Sequence, residues 1–441
     1  MFHHSADQLK NLCAAALDLA RQQGATAAEA DVSESLGQSV QVRLQEIEQI
    51  EYQQDTALDL TVYVGQAKGR ASTGDFSPQA LADTVAAALN IARYTAQDEY
   101  AGLADAALMA THIGELDAYH PWPLPVDEAV VLAQRCEAAA RGADARIVNS
   151  EGATVQTGHY QYVYGNSHGF LAHQQGTRHS IACSVVAEDV SGMQRDYWYD
   201  LARKAADLPT PESIGHTAAA RTVRRLGAGS VPTGKYPVVF DATVSGSLIG
   251  HLVGAISGGA LYRKTSFLTD SLGRQVLAPW VVLEERPHIP RALGSTYFDG
   301  EGVATRERTV VENGIIQGYF LSSYSARKLG MQTTANAGGA HNLYLNHTHA
   351  TQADLLRAMG SGLLVTELMG QGVNTITGDY SRGAAGFWVE NGVIVRPVEE
   401  ITIAARLQDM FLNMAGAADD ALRRSAHKVG SILIEEMTVA G

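Results

Sequence analysis

Hydrophobic positions near the N-terminus recur at intervals of three and four. Leu9, Leu12, Cys13, Ala16, Leu17 and Ala20 make one stripe, which predicts an amphipathic helix with a single buried face. The period then drops to two. Val40, Val42 and Leu44, followed by Leu58, Leu60, Val62 and Val64, alternate with polar residues, as in a meander of strands that each lay one face on a core. Helical spacing returns in SPQALADTVAAALNIARY. There Ser77 is placed as N-cap and Pro78 falls in the first turn, where its missing N–H is harmless. A third helix is expected from Asp127 to Arg141. Strands broken by Gly, Asn and Ser turns follow up to Asp189, and then a helix in PESIGHTAAARTVRRLGAG.

Helices and antiparallel-looking strands segregated in this way predict an α+β fold of mixed, mainly antiparallel sheets rather than a doubly wound parallel one. The stretch GAGSVPTGKY, residues 227 to 236, collects Gly, Ser and Pro between two patterned regions and reads as a boundary. Two domains are therefore expected, 1–228 and 229–441. The second opens with a strand, YPVVF. It later carries two hairpin signals, RTVVENGIIQGYFL and GFWVENGVIVRP, whose Asn313-Gly314 and Asn391-Gly392 suit tight two-residue turns. The repeated Val-Glu-Asn-Gly is read as a favoured turn rather than a duplication. Between the hairpins lie a short helix in SSYSARKLG, a Gly/Ala/Asn loop, a helix in TQADLLRAMG and a strand in LLVTELMG. Glycines 370, 372, 378, 383 and 386 suit a loop that approaches another backbone closely.

One stretch fits none of these patterns. VSGSLIGHLVGAISGGALYRK places Gly246, Gly250, Gly254 and Gly258 four apart. From Ala242 to Tyr262 there are 21 residues without Asp, Glu, Lys or Arg, long enough to cross a bilayer. Its glycines, serines, threonine and histidine, with no flanking aromatic belt, make it a poor lipid solute. In water each interior glycine costs a helix about 1 kcal/mol relative to alanine. A buried helix whose bare ridge touches main chain is the expected compensation.

Composition narrows the function. Hydrophobic residues make up 46% and charged residues 18% of 441, the make-up of a folded chain with a large core. A net charge of -14 disfavours nucleic acid and anionic membrane surfaces as partners. The one basic cluster, Arg221, Arg224 and Arg225, reads as a solvated helix face. Three scattered cysteines, Cys13, Cys136 and Cys183, form no CxxC pair and argue for a reducing, cytoplasmic setting. The N-terminus lacks the pattern of a secretory signal.

Candidate chemistry is sparse. A zinc peptidase needs two or three ligands around an open position. The glycine helix supplies only His251, because Ser247, Ala255 and Ile256 occupy the positions where a second ligand would stand. His341, His347 and His349 form the densest histidine cluster and are the alternative metal ligands. No GxSxG elbow and no nucleotide fingerprint occurs. Glu284-Glu285 and Glu399-Glu400 are consecutive, so in strands they face opposite ways. No catalytic or metal-binding residue is assigned on these grounds.

The segments SGSLIGHLVGAISGGALYRKTSFLTDSLG, FDGEGVATRERTVVENGIIQGYFLSSYSARKLG, TANAGGAHN and LVTELMGQGVNTITGDYSRGAAGFWVENGVIVRPVEEITIA resemble the PmbA (TldE) branch of the TldD/PmbA family. The resemblance covers essentially the whole chain. It implies a cytoplasmic protein, labelled a modulator of DNA gyrase and classed among metallopeptidases, that pairs with a TldD-type chain in a heterodimeric protease acting on unfolded peptides. It also implies that TldD-type chains carry HExxxH on the corresponding helix and a later cysteine as zinc ligands. Laid on this sequence, those histidines fall at Gly250 and Ala255 and the glutamate at His251, with no cysteine after Cys183. The expectation is a subunit with no cofactor of its own, zinc residing in the TldD-type partner, and a homodimer possible when it is alone. Its peptide cleft is expected to use His251, Tyr380, Ser381 and Arg382, with an ion pair between Asp379 and Arg382 as the plainer role for that loop. The rival readings are a free-standing metallopeptidase and a non-enzymatic regulator.

Overall fold

The computed structural model describes residues 2–441. The first half is built on one antiparallel sheet of six strands. In chain order its elements are α1 (Ala6–Gln22), β1 (Ala27–Arg43), β2 (Glu46–Val64), β3 (Ala67–Thr73), α2 (Pro78–Tyr94), α3 (Val126–Gly142), β4 (Ile147–Asn166), β5 (Leu171–Asp189), β6 (Gly192–Ala202) and α4 (Pro211–Val223). The strand order is β3-β2-β1-β4-β5-β6. Period-two alternation decides which face is covered. Ala28, Ala30 and Val32 of β1 pack with α1 and α2, while Val40 and Val42, of the same parity, pack with α3 and α4. Both helix pairs thus lie on one side of the sheet. The caps read from sequence are in place, with Ser77 Oγ accepting from the Ala80 N–H at 3.3 Å behind Pro78.

Leu44 departs from the expected alternation. It sits in the β1–β2 turn at φ 53° with Gln45 at φ 69°, and is 46% exposed. The left-handed conformation is unfavourable for both residues. It is held by the buried Glu137 of α3, whose carboxylate accepts from the Leu44 N–H at 2.8 Å, the Gln45 N–H at 2.7 Å and Gln45 Nε2 at 2.8 Å.

The second half forms two sheets. β7 (Gly234–Phe240) lies between Gly362–Met369, to which it is parallel, and Ile432–Ala440. Beyond Gly362–Met369 come Asp379–Glu390 and Val393–Arg406. Thr402–Ala404 then pair with Thr438–Ala440, which closes these five strands into a ring, with Met414–Ala417 appended as a sixth. The other sheet is built of short strands, among them Leu283–Glu285, Arg308–Glu312 and Leu343–Leu345. The two Asn-Gly turns form as expected, with Asn313 at φ 52° and Asn391 at φ 50°, but they belong to different sheets. Close backbone approach occurs where the later glycines lie. A Cβ on Gly386 would stand 1.9 Å from the Leu364 carbonyl oxygen, and one on Gly372 2.0 Å from that of Ser381.

Because Glu137 accepts both turn N–H groups, Glu137→Ala is expected to lose about 2–3 kcal/mol of stability, with the bonds between Gln134 and Gln45 remaining. Glu137→Gln, which keeps one acceptor, should lose less. Urea unfolding followed by circular dichroism reads the difference, and equal, near-zero losses would contradict this role.

Candidate functional site

The glycine stretch folds as α5 (Ala242–Ala255), followed by a break and a short helix, Gly258–Tyr262. No helix in the described residues is long and apolar enough to cross a membrane. Asp241 caps α5, its carboxylate accepting from the Thr243 N–H at 2.9 Å and from Gln352 Nε2 at 2.8 Å. Ser245, Leu248, Ile249, Leu252 and Ala255 form the buried stripe.

The expected contact between the glycine ridge and main chain is not made. A Cβ built on Gly246, Gly250 or Gly254 meets nothing within 4 Å, whereas one on Gly258 would meet Ser325 Oγ at 2.2 Å. The reason is geometric. The apolar stripe occupies one side of α5 and faces the ring of strands, so the glycines are turned the opposite way. Three glycines therefore weaken this helix by roughly 3 kcal/mol in total with no packing in return within the chain.

The N-terminal end of the ridge, at Gly246, opens on a cavity of about 530 Å³ between the two halves of the molecule. Thr243, Gly246 and Ser247 of α5 line it, together with Trp198, Arg221, Arg424 and His427. Thr366, Glu367 and Leu368 line it as well. The strand Gly362–Met369 outruns β7, pairing with it only as far as Val365 against Phe240, since the chain turns at Asp241 into α5. On that side Thr366–Leu368 have no strand partner. The cavity thus contains a short strand edge without a strand partner, whose Thr366 carbonyl accepts from Thr243 Oγ1 at 3.4 Å, beside the small side chains and Gly246 of the first turns of α5.

Of the sequence-derived candidates, three come together. His251 and Tyr380 meet edge to face at 6.0 Å between ring centroids, and the Arg382 guanidinium acts on both. Burial, with Arg382 second, holds the His251 imidazole below its usual pKa and so neutral near pH 7. Burial pushes the Tyr380 phenol up, with Arg382 opposing. The Nε2 of His251 and the hydroxyl of Tyr380 are buried without a hydrogen-bond partner. Tyr380 lies in a strand rather than a loop, 1% exposed. Ser381 is exposed and, by strand alternation, points to the other face. Arg382 donates through Nε to the Met369 carbonyl at 3.0 Å, and Asp379 accepts from Thr377 Oγ1 at 2.6 Å, so the expected Asp379–Arg382 pair is replaced by separate local bonds.

The other histidines have separate duties. His341 is buried, its Nε2 at 2.9 Å from the Ala335 carbonyl and its N–H donating to Glu285. His347 faces Asp419 at 3.8 Å, and His349 Nδ1 lies 2.8 Å from Thr348 Oγ1. Among the described residues no group of three or more His, Cys, Asp or Glu side chains is placed to hold a metal ion.

The basic cluster also differs from expectation. Arg221 and Arg225 are only 14% and 16% exposed, because β6 and the strand edge at Glu367 cover that end of α4. Trp198 and Arg424 drew no notice in the sequence. Arg424 stacks over Trp198 and Tyr199, each at 4.0 Å, a contact between residues more than 220 positions apart that no local pattern announces.

Family models of PmbA/TldA metallopeptidase domain 1, central domain and C-terminal domain match residues 28–92, 119–226 and 233–441. The chain is 49% identical over 433 residues to the metalloprotease PmbA of Escherichia coli O157:H7, covering 98% of this chain and 96% of that one. It is 49% identical over 436 residues to a metalloprotease PmbA homolog of Haemophilus influenzae, with coverage of 98% and 96%. A crystal structure from Bacteroides thetaiotaomicron, named for modulation of a DNA gyrase, superimposes with a TM-score of 0.93 at 28% identity over 98% of both chains. TldE from Thermococcus kodakarensis shares the fold, with a TM-score of 0.80 at 20% identity over 99% of this chain and 100% of that one. The chain belongs to the PmbA/TldD family. The metal implied by the family's class does not fit α5 here, where Gly250 and Ala255 carry no donor and His251 is a lone imidazole.

The outward glycines yield a contrast in stability. Gly250→Ala should raise stability by about 0.5–1 kcal/mol, since its Cβ enters open space. Gly258→Ala should lower it by about 1–3 kcal/mol through overpacking against Ser325. Melting temperatures of the two variants test this, and a destabilised Gly250→Ala would mean the ridge is in contact after all.

Proposed function

We propose that this chain is the peptide-holding subunit of a cytoplasmic heterodimeric protease whose zinc, water activation and cleavage reside in a TldD-type partner. The observation that carries the reading is the cleft itself: Gly246 of α5 lines the same cavity as Thr366–Leu368, which have no strand partner on that side, and Gly250 and Gly254 continue the bare ridge in open space. An unfolded peptide added to that edge is gripped by main-chain hydrogen bonds, which tolerate any sequence. The bare ridge leaves room for its side chains, and Arg382 lines the same cavity. Ser381, turned away from the cavity, is no longer a contact in this reading.

The division of labour follows from coordination chemistry. In the resemblance to TldD-type chains the two zinc histidines correspond to Gly250 and Ala255 and the base to His251. Hydrogen and methyl groups cannot bind the ion, and an imidazole held neutral by burial is not the carboxylate that such a site uses on its water. A metalloprotease TldD homolog of Haemophilus influenzae, 27% identical over 206 residues of this chain, typifies the proposed partner. The names of the PmbA relatives favour a second reading, a free-standing metalloprotease.

Zinc content and cleavage of an unfolded peptide separate the two. The chain purified alone should carry well under one zinc per chain and cleave nothing above background, and cleavage should appear on adding the partner. Stoichiometric zinc with activity from the lone chain would establish the second reading instead.

A further inference from the structure

We propose that the cavity at the N-terminal end of α5 is a carboxylate clamp, built from the guanidinium groups of Arg424 and Arg382, that fixes the end of the bound peptide or one of its acidic side chains.

The inference rests on the peptide-cleft reading and adds to it what the cleft selects. It begins with a census of charge. Three arginines, Arg221, Arg382 and Arg424, line the cavity together with two carboxylates, Asp196 and Glu367. The carboxylates are already answered. Asp196, 5% exposed, lies 3.3 Å from Arg221 Nη2 and 3.8 Å from Arg225 Nη1, and Glu367 pairs with that same Arg225 at 2.5 Å. Arg382 and Arg424 have no carboxylate partner among the described residues; each spends one N–H on a main-chain carbonyl, of Met369 and Tyr199 respectively. Two guanidinium forks in a chain of net charge -14 thus line a partly enclosed space with neither forming an ion pair there, although the Asp200 carboxylate acts on Arg424 from a distance.

Burial sharpens the effect. Desolvation holds the Arg424 guanidinium and the His427 imidazole below their usual pKa values, so an arriving anion finds a cation that has lost part of its water and gains more from pairing than it would at an open surface. The nearby Arg221 Nε is buried without a partner.

Shape limits the class of anion. The Trp198 ring is already engaged by cations, with Arg424 at 4.0 Å and Arg221 at 5.1 Å over it. The remaining N–H groups of a planar fork suit the two oxygens of a carboxylate. Nor does the helix supply the anion site, because the amides of its first turn are used: Ala242 bonds Ser431 Oγ, and Thr243, Val244 and Ser245 bond Asp241. The clamp stands in the same cavity as the free edge Thr366–Leu368, so a peptide lying on that edge has its terminus or an acidic side chain within the same enclosure.

The test is calorimetric titration of the purified full chain with acetyl-trialanine as free acid, the same peptide as C-terminal amide, an amidated peptide with one internal glutamate, and inorganic phosphate. The free acid should bind at least tenfold tighter than the amide. Arg424→Gln and Arg382→Gln should each remove that preference while circular dichroism stays unchanged. Tight binding of the glutamate peptide supports the clamp with a side chain as its source; its failure beside a bound free acid assigns the clamp to the peptide terminus. Equal binding of acid and amide, a preference that survives both substitutions, binding of phosphate alone, or no binding of any probe would each overturn the clamp. A long amidated unfolded peptide that still binds in those cases would leave the cleft reading standing.

Discussion

Five residues on one face of α5 fasten it to the ring of strands, and the character of the cleft follows from the opposite face carrying only small residues, Thr243, Gly246, Ser247, Gly250 and Gly254. Burial of Leu248, Ile249 and Leu252 fixes the helix's orientation, with a stabilisation on the order of 2 kcal/mol for each such side chain. With that orientation set, Gly246, Gly250 and Gly254 point away from the core into open space, and Gly246 does so at the cavity. Alanine at those positions would make a better helix. Their persistence as glycine in a place with no internal contact is a stability deficit of the kind that functional surfaces carry.

The same constraint produces the free strand edge. The chain leaves β7 at Asp241 to begin α5, and the neighbouring strand continues for several residues beyond the last pair, Val365 with Phe240. An unpaired edge invites association and is normally covered or blunted. Here it is recessed in a cavity, which protects it from indiscriminate pairing while leaving it open to an extended chain. Helix, edge and arginine walls come from residues 196 to 429, so the cleft exists only when the two halves of the molecule are assembled.

Much of this was legible in the sequence, and the boundary of legibility is physical. Local periodicity and caps located the helices and the two Asn-Gly hairpins, because those signals are carried by neighbours within a few residues, as at Ser77-Pro78. Where the glycine ridge points was not legible. A helix's spacing shows that the glycines share a face, but only the packing of Leu248 and Leu252 shows that this face looks outward. Tyr380 was mistaken for a loop residue because glycine density masked a strand. Arg221 and Arg225 looked solvated because their cover, Asp196 and Glu367, lies elsewhere in the chain. Arg424 and Trp198 gave no signal, being joined across more than 220 residues.

The central claim is that an extended peptide is held on Thr366–Leu368 beside the bare face of α5. Hydrogen–deuterium exchange of the chain with and without a saturating unfolded peptide tests it most directly. Slower exchange of the amides across Thr366–Leu368 and at the ridge Gly246–Gly250, with little change in β1–β3, is the predicted result. Protection confined to other segments, or none at saturation, would contradict the account.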